Sequence, residues 1–331
     1  MWQFSHALNP ITSNEGTNMK SSKAFVLSFI ALFVMNSAAF GHVEAEFFLP
    51  QVPDPSAMMI DGDEGDWDWL DRSFAMGPEN FYDASGNDGY TKEDFDFALF
   101  MAWSQPPDNR LWGFYRVQDD TLTVVEEDPY RWWADDNLQL TLDIDHSGGD
   151  FLGVNLDHVN TGQRYHIRVL PLPGQAVFFN SLIEQIDMPS ILWNQDIFEG
   201  KQTDVVEVSW TLSPAGAANG SLNVTYTVEW AMKTYDITQP TKAESIEHVF
   251  APDQVVHLGP RPNDADTGPF DHRLIPIGSD EQQDQKGDFM PDWYTLACED
   301  CPNAGSEAGS STAVEEASWG RIKSHMNSQL R

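Results

Sequence analysis

Apolar side chains recur at every second position through much of the chain. The clearest alternating runs are 95–103, 138–144, 165–169, 206–212 and 222–232. Successive side chains of a β-strand point to opposite faces, so each run predicts a strand with one buried face and one solvated face. Strands that are half buried in this way are typical of antiparallel sheets.

Turns rich in Gly, Pro, Asn and Asp separate these runs, and no long segment has the 3.6-residue period of an amphipathic helix. Many short strands separated by turns predict an all-β fold, either a sandwich or a barrel. We expect an antiparallel β-sandwich of jelly-roll or immunoglobulin-like architecture with a single core, spanning residues 46–301.

The first part of the chain, residues 1–41, has a different pattern. Two lysines precede an apolar run over residues 24–35, and small residues follow it. This pattern predicts an upstream extension followed by a cleaved signal peptide, and hence a secreted, periplasmic or cell-surface protein. The alternative is a membrane anchor, for which the apolar run is short.

The last part of the chain, residues 302–331, changes composition again. A Gly-, Ser- and Ala-rich linker is followed by Trp319, Ile322, Met326 and Leu330, at spacings of three and four. This spacing predicts a short amphipathic helical tail. The tail either packs on the sandwich or serves as a signal that docks to a partner.

The chain has two cysteines, Cys298 and Cys301, in a C-x-x-C arrangement. In an exported protein the arrangement favours a disulfide between them. Free thiols and a metal site that takes further ligands from elsewhere remain open.

The formal net charge of −34 restricts the partners of the protein. Phosphate binding needs clustered Lys and Arg, so we expect no nucleic-acid partner, and anionic membranes are poor partners. An acidic surface suits divalent cations and neutral ligands. Because 41% of the residues are hydrophobic, the chain can still build a sizeable core.

Four stretches resemble, in order and spacing, the family 9 carbohydrate-binding modules, a β-sandwich group related to the DOMON domains. They are "MMIDGDEGDWDW" (58–69), "LWGFYRVQDD" (111–120), "WADDNLQLTLDID" (133–145) and "YTVEWAMKTYD" (226–236). The resemblance implies a non-catalytic module that binds an oligosaccharide or polysaccharide between aromatic rings, with structural calcium nearby. Its role would be polysaccharide capture or degradation.

The physical chemistry of sugars selects the residues that could bind one. A pyranose has apolar faces, which stack on aromatic rings, and a rim of hydroxyl groups, which bind polar side chains. The stacking candidates are Trp132, Trp133 and Trp193. The candidates for the hydroxyl groups are Asp135, Asn137 and Arg116. The alternatives are core packing for each tryptophan and an ion pair for the arginine.

Calcium requires oxygen ligands that converge at a turn, and two Asp-rich turns offer them. The first set is Asp143, Asp145 and Asp150. The second set is Asn263, Asp264 and Asp266. The alternative for both sets is an ordinary solvated turn.

The sequence contains no nucleophile elbow, zinc-protease motif, P-loop or dinucleotide fingerprint, and we expect no enzymatic activity. Two other functions stay open. One is a glycoside hydrolase with an unrecognised carboxylate pair. The other, implied by the DOMON relationship, is electron transfer by a b-type haem, for which Met76, Met101 and Met232 are available.

Overall fold

The structure is a computed structural model, and it describes most of the chain between residues 46 and 298. The described residues are 46–87, 89–125, 135–149, 205–237, 242–269, 271–281, 283 and 286–298, together with the backbone of 163–169 and 176–180. The chain divides into two compact units, Met1–Gly41 and His42–Arg331, and every described residue belongs to the second.

The larger sheet has eight strands. Six of them lie side by side in the order β1 (Glu46–Pro50), β14 (Asp292–Leu296), β12 (Val255–Asp264), β5 (Asn137–Asp143), β6 (Gln163–Val169) and β7 (Ala176–Asn180). The other two strands are β13 (His272–Pro276) and β2 (Phe81–Asp83). The last residues of β12 pair with β13, and β13 pairs in turn with β2. This end of β12 carries the second Asp-rich turn.

The smaller sheet has four strands, in the order β3 (Phe95–Trp103), β4 (Leu111–Thr121), β9 (Leu222–Met232) and β8 (Val206–Ser213). A separate hairpin joins β10 (Tyr235–Ile237) and β11 (Ile246–Glu247). The five alternating runs in the sequence therefore correspond to β3, β5, β6, β8 and β9.

Within the described residues, no helix is longer than four residues. The short helices are 3-10 turns at Pro55–Ala57, Glu64–Trp67, Arg72–Phe74, Pro78–Asn80, Lys242–Glu244 and Gly287–Phe289. The described chain is thus an all-β structure, as predicted. No helix in it is long and apolar enough to cross a membrane.

The main core lies between the two sheets, where their apolar faces pack against each other. Leu138, Leu140 and Leu142 of β5 contribute from the larger sheet, and Leu99 and Trp230 contribute from the smaller one. All five are almost completely buried. Burial of this kind is the main stabilising term of the fold, because it removes apolar surface from water.

A second apolar cluster covers the outer face of the smaller sheet. Trp67 and Leu70, in the segment before β2, pack against Phe100 of β3 and against Trp112 and Phe114 of β4. The expectation of a solvated outer face is therefore wrong for these two strands. Because this sheet is covered on both faces, outward positions of β3 and β4 also carry large apolar side chains, such as Phe100 and Trp112.

Glu229 of β9 attaches this covering segment to the sheet. Its carboxylate accepts hydrogen bonds from the backbone N–H groups of Asp61 (3.0 Å) and Gly62 (2.9 Å) and from Nε1 of Trp67 (2.8 Å). Burial raises the pKa of Glu229 to about 7. Three donors on one buried carboxylate fix both the loop and the tryptophan ring.

The larger sheet is not purely antiparallel, which corrects the predicted architecture. β1 runs parallel to β14, with Glu46 opposite Asp292 and Pro50 opposite Leu296, while the other strand pairs are antiparallel. A parallel pair needs a long connection, and the rest of the domain provides it because β1 is the first strand and β14 the last. The predicted linker and helical tail at 302–331 lie outside the described residues and stay predictions.

Candidate functional site

Carboxylates from both sheets meet at one end of the sandwich. Six aspartates and one histidine lie at or near strand ends, and we call them together the acidic cluster. They are Asp94, Asp119, Asp120, Asp136, Asp264, Asp266 and His272. One oxygen from each of Asp136, Asp264 and Asp266 lies within 4.8 Å of the other two. Strand ends bring these residues together although they are far apart in the sequence.

Backbone groups hold part of the acidic cluster in place. Asp136 accepts from the N–H of Thr123 (2.6 Å) and from that of Ala265 (2.9 Å). Asp119 accepts from the N–H of Thr121 through Oδ1 (2.9 Å), and Asp264 accepts from the N–H of Asp266 through Oδ1 (3.3 Å). The carboxylates are therefore oriented by the chain itself.

The buried oxygens of the acidic cluster that have no hydrogen-bond partner include Oδ2 of Asp264 and Oδ2 of Asp119. The two residues are only 1% and 4% exposed, respectively. Buried polar atoms in folded proteins are almost always paired with a protein group, a water or an ion. These two oxygens are thus available to a ligand.

Burial and mutual repulsion disfavour negative charge in the acidic cluster. Burial, with repulsion from neighbouring carboxylates, raises the pKa of Asp119 to about 6, that of Asp264 to about 7 and that of Asp266 to about 8. The pKa of Asp136 is also raised well above its ordinary value, by burial and by Asp119. A bound cation would remove both penalties by pairing with the charged forms.

Little positive charge lies near these aspartates. Among the described residues, His272 is the one basic side chain that pairs with them, at 3.6 Å between its Nε2 and Asp94 Oδ2. The Nδ1 atom of His272 lies 2.7 Å from Oδ2 of Asp83, so the same imidazole also contacts an acid outside the cluster. Clustered carboxylate oxygens without lysine or arginine are the donor set of a hard divalent cation, so the residues present fit calcium.

The second predicted calcium set falls partly within the acidic cluster. Asp264 and Asp266 belong to it, whereas Nδ2 of Asn263 donates to Oδ1 of Asn137 (3.0 Å). The sequence prediction missed Asp94, Asp119, Asp120, Asp136 and His272. Two Asp-Asp pairs, at the end of "LWGFYRVQDD" and within "WADDN", were the available signal.

The first predicted calcium set lies in the turn after β5. Asp143 already accepts from the N–H of Gly148 (2.9 Å) and that of Ser147 (3.2 Å), and its Oδ2 lies 2.8 Å from Nδ1 of His257. Asp145 accepts from the same N–H of Ser147 (3.3 Å), and Asp150 lies outside the described residues. Calcium at this set stays a prediction.

A buried polar surface lies beside the acidic cluster, on the outer face of β5 and β12. We call it the polar face and define it by Gln139 and Thr141 of β5, Arg261 and Asn263 of β12, and Gln283. In the register of the two strands Gln139 lies opposite Arg261, and Asn137 lies opposite Asn263. The alternation of β5 places Leu138, Leu140 and Leu142 in the core and the polar residues on this face.

Several atoms of the polar face make no hydrogen bond. They are Oε1 and Nε2 of Gln139, Oγ1 of Thr141, Oδ1 of Asn263 and Oε1 of Gln283. Gln139, Thr141, Asn263 and Gln283 have no measurable solvent exposure. A buried amide without a partner costs free energy, so this group of neighbouring unpaired atoms indicates a site that a polar ligand can complete.

The predicted sugar-binding residues do not come together as one site in the described chain. Asp135 accepts from the N–H of Val125 (2.8 Å), and Asn137 donates to the carbonyl of Asp135 (2.7 Å), beside the polar face. Their role in binding hydroxyl groups stays a prediction. Arg116 lies on the smaller sheet and is paired with Glu64. Trp132, Trp133 and Trp193 lie outside the described residues, and their stacking role stays a prediction.

The remaining predicted features have separate outcomes. Met76, Met101 and Met232 are buried in the main core, packed among apolar side chains, which is the ordinary role of methionine in a sheet protein. The N–H of Cys298 donates to Oε1 of Gln51 (3.0 Å). Cys301 lies outside the described residues, and the disulfide stays a prediction.

No family model matches the chain, and no curated protein matches it. Among solved structures, the chain is similar to a family 9 carbohydrate-binding module from Caldicellulosiruptor kristjanssonii. The complex with cellotriose is 15% identical with a TM-score of 0.46, covering 77% of this chain and 96% of that chain. The complex with glucose is 14% identical with a TM-score of 0.42, covering 78% and 100%.

A third similar structure is a candidate carbohydrate-binding protein from Bacteroides uniformis. It is 12% identical with a TM-score of 0.42, and the match covers 76% of this chain and 98% of that chain. The first two structures belong to the family that the four sequence stretches resemble.

Proposed function

We propose that the domain is a non-catalytic carbohydrate-binding module and that the polar face binds the hydroxyl groups of a neutral sugar. The proposal rests on one observation about Gln139. Its side chain has no exposed surface, and both its amide oxygen and its amide nitrogen lack a hydrogen-bond partner. Thr141 Oγ1 on the same strand and Gln283 Oε1 add further unused groups.

A sugar satisfies these groups better than most ligands. Each hydroxyl group both donates and accepts a hydrogen bond, as the amide of Gln139 and the hydroxyl of Thr141 require. The unused groups are uncharged, so their desolvation costs less than that of ions. The acidic surface of the chain, with a net charge of −34, favours neutral sugars over anionic ones.

Aromatic stacking completes the proposed site. Trp132 and Trp133 directly precede the segment that begins β5, and Trp193 offers a further ring. A stacked ring would hold the apolar face of the sugar while the polar face holds its hydroxyl groups. We propose that the protein is exported and uses this site to capture a polysaccharide.

Isothermal titration with glucose and cellotriose, followed by a panel of oligosaccharides, tests the site. Gln139→Leu keeps a side chain of similar size but has no amide, and we expect a loss of affinity of about tenfold, the scale of one or two hydrogen bonds. Its melting temperature should stay the same or rise, because the variant removes a buried unpaired amide. Thr225→Val, on the smaller sheet, is the matched control and should keep full affinity.

Two results would contradict the proposal. One is that Gln139→Leu binds sugar as tightly as the unaltered protein. The other is that no oligosaccharide of the panel binds at all. Release of reducing ends from the same oligosaccharides would show instead that the module is an enzyme.

We also propose that the acidic cluster holds a structural calcium ion. Oδ2 of Asp264 and Oδ2 of Asp119, both buried and unpaired, support this. Calcium takes six to eight oxygen ligands at about 2.3–2.6 Å, and carboxylates are its usual protein ligands. Such an ion would fix the ends of β4 and β12 beside the polar face, and so support the sugar site.

A further inference from the structure

A second group of metal-binding side chains lies near the opposite end of β12 from the acidic cluster. His257 is the third residue of that strand, and Asp264 is its last. The two are seven positions apart along an extended strand, which is roughly 24 Å at about 3.4 Å per residue. The two groups are therefore distinct sites on one strand.

Strand pairing places His257 between two aspartates. β12 lies between β5 and β14, and the Cα of His257 is opposite Asp143 on one side and Asp292 on the other. Paired residues on neighbouring strands point to the same face of a sheet. The three side chains thus form a row across three adjacent strands.

His146 brings a second imidazole to this row. It lies in the turn after β5 with a φ of 56°, in the left-handed region that histidine adopts more readily than most residues. Its ring centroid is 3.9 Å from that of His257. The Nε2 atoms of His146 and His257 lie 3.3 Å and 3.0 Å, respectively, from the same atom, Oδ1 of Asp292.

These separations are those of ligands around one tetrahedral metal ion. With metal–ligand bonds of about 2.0–2.1 Å, neighbouring ligand atoms of a tetrahedral zinc site are about 3.3–3.4 Å apart. One ligand atom from each of His146, His257 and Asp292 lies within 4.8 Å of the others. A small adjustment of side chains is enough to surround an ion.

Asp143 supplies the orienting contact that such sites usually have. Its Oδ2 is 2.8 Å from Nδ1 of His257, and the N–H of Gly148 holds the same oxygen at 2.9 Å. A carboxylate on Nδ1 fixes the tautomer that leaves the lone pair of Nε2 for a metal. The carboxylate of Asp143 and the imidazole of His257 are both fully buried, so this orientation is fixed by packing.

We propose that His146, His257 and Asp292 bind one transition-metal dication, of which zinc is the best match. Two imidazole nitrogens and one carboxylate form a donor set that suits zinc and not calcium, which prefers oxygen ligands alone. The side chains of His146 and Asp292 are partly exposed, which gives an ion access and leaves a position for water or a further ligand.

Titration of the full chain with Co²⁺, followed by visible absorbance, and with Zn²⁺, followed by calorimetry, tests this site. Both titrations are done in excess CaCl₂, so that calcium competes with the added metal for the carboxylates of the acidic cluster. We expect one equivalent to bind, with the absorbance of a tetrahedral cobalt site. His146→Asn, which tolerates the same backbone conformation, and Asp292→Asn should each weaken binding at least about tenfold.

His248→Asn is the matched control. His248 is also buried and paired with an aspartate, at 2.6 Å between its Nδ1 and Oδ1 of Asp236, but it is outside the proposed site. This variant and Asp264→Asn should bind Zn²⁺ as the unaltered chain does. The proposal is overturned if no saturable Zn²⁺ binding occurs, or if His146→Asn and Asp292→Asn bind Zn²⁺ as tightly as His248→Asn.

Discussion

Oε1 of Glu229 accepts a hydrogen bond from Nε1 of Trp67 at 2.8 Å, across 162 positions of sequence. The contact joins two of the four stretches that resemble the family 9 modules, the "DGDEGDW" turn and the "EWAM" strand. The other two stretches meet in the acidic cluster, through Asp119 and Asp136. Trp67 with Glu229, and Asp119 with Asp136, therefore each join two different stretches of the chain.

Replacement of Glu229 by Gln should destabilise the domain by about 1–3 kcal/mol, the cost of a buried donor without an acceptor. The amide group of Gln carries its own donors, so it cannot accept from both Trp67 and the N–H groups of Asp61 and Gly62. Urea unfolding measures the effect. Glu207→Gln, at a partly exposed ion pair with Arg110, is the control and should change stability by less than about 1 kcal/mol.

The same residue predicts a pH dependence of stability. Burial raises the pKa of Glu229 from its ordinary value of 4.5 to about 7 in the folded protein. Between these values the folded state binds the proton and the unfolded state does not, so the free energy of unfolding falls as the pH rises through this window. Because Gln does not titrate, this part of the dependence should be missing in Glu229→Gln. Parallel pH profiles of the two proteins would refute the assignment.

Removal of calcium should lower the melting temperature if the acidic cluster holds the ion, because a ligand that binds only the folded state stabilises it by mass action. Melting curves with EGTA and with added CaCl₂ measure the shift. Asp264→Asn should lose most of the difference between the two curves, since it removes a buried charge that the ion pairs with. Identical curves for the unaltered protein under both conditions would contradict calcium binding in the acidic cluster.

Gly113 of β4 faces the indole ring of Trp230 in the main core. A Cβ atom at this position would lie 2.0 Å from Cζ2 of Trp230, far inside contact distance. We expect Gly113→Ala to destabilise the domain by at least about 1–3 kcal/mol, since a fully buried ring has no space to move. Gly65→Ala, in the exposed turn, is the matched control for thermal unfolding and should be close to neutral.

The sequence predicted the strands well because alternation is a local property of the chain. β3 and β9, for example, follow directly from the apolar positions at 95–103 and 222–232. The parallel pairing of β1 with β14 joins the two ends of the domain, and no local pattern reports it. The cover on the outer face of the smaller sheet was missed for the same reason.

The candidate sites show the same limit. Asp264 and Asp266 could be singled out because they lie in one Asp-rich turn, whereas Asp119 and Asp136 join them only through the ends of other strands. The pair His146 and His257 has no ligand spacing in the sequence and becomes visible only when β5 and β12 are side by side. In the sequence, Gln139 is one polar residue of an alternating strand like any other. Its complete burial is visible only in the structure.

The parallel ladder between β1 and β14 also determines how the domain would respond to tension. Glu46 begins β1 at one end of this ladder, and Leu296 ends β14 at the other end. A force that pulls the chain outward at these two residues therefore acts in opposite directions along the strands. A pull between these points would shear the ladder and load its hydrogen bonds together, instead of opening them one at a time. If the proposed site holds an immobile polymer, the domain would therefore resist unfolding when its two ends are pulled.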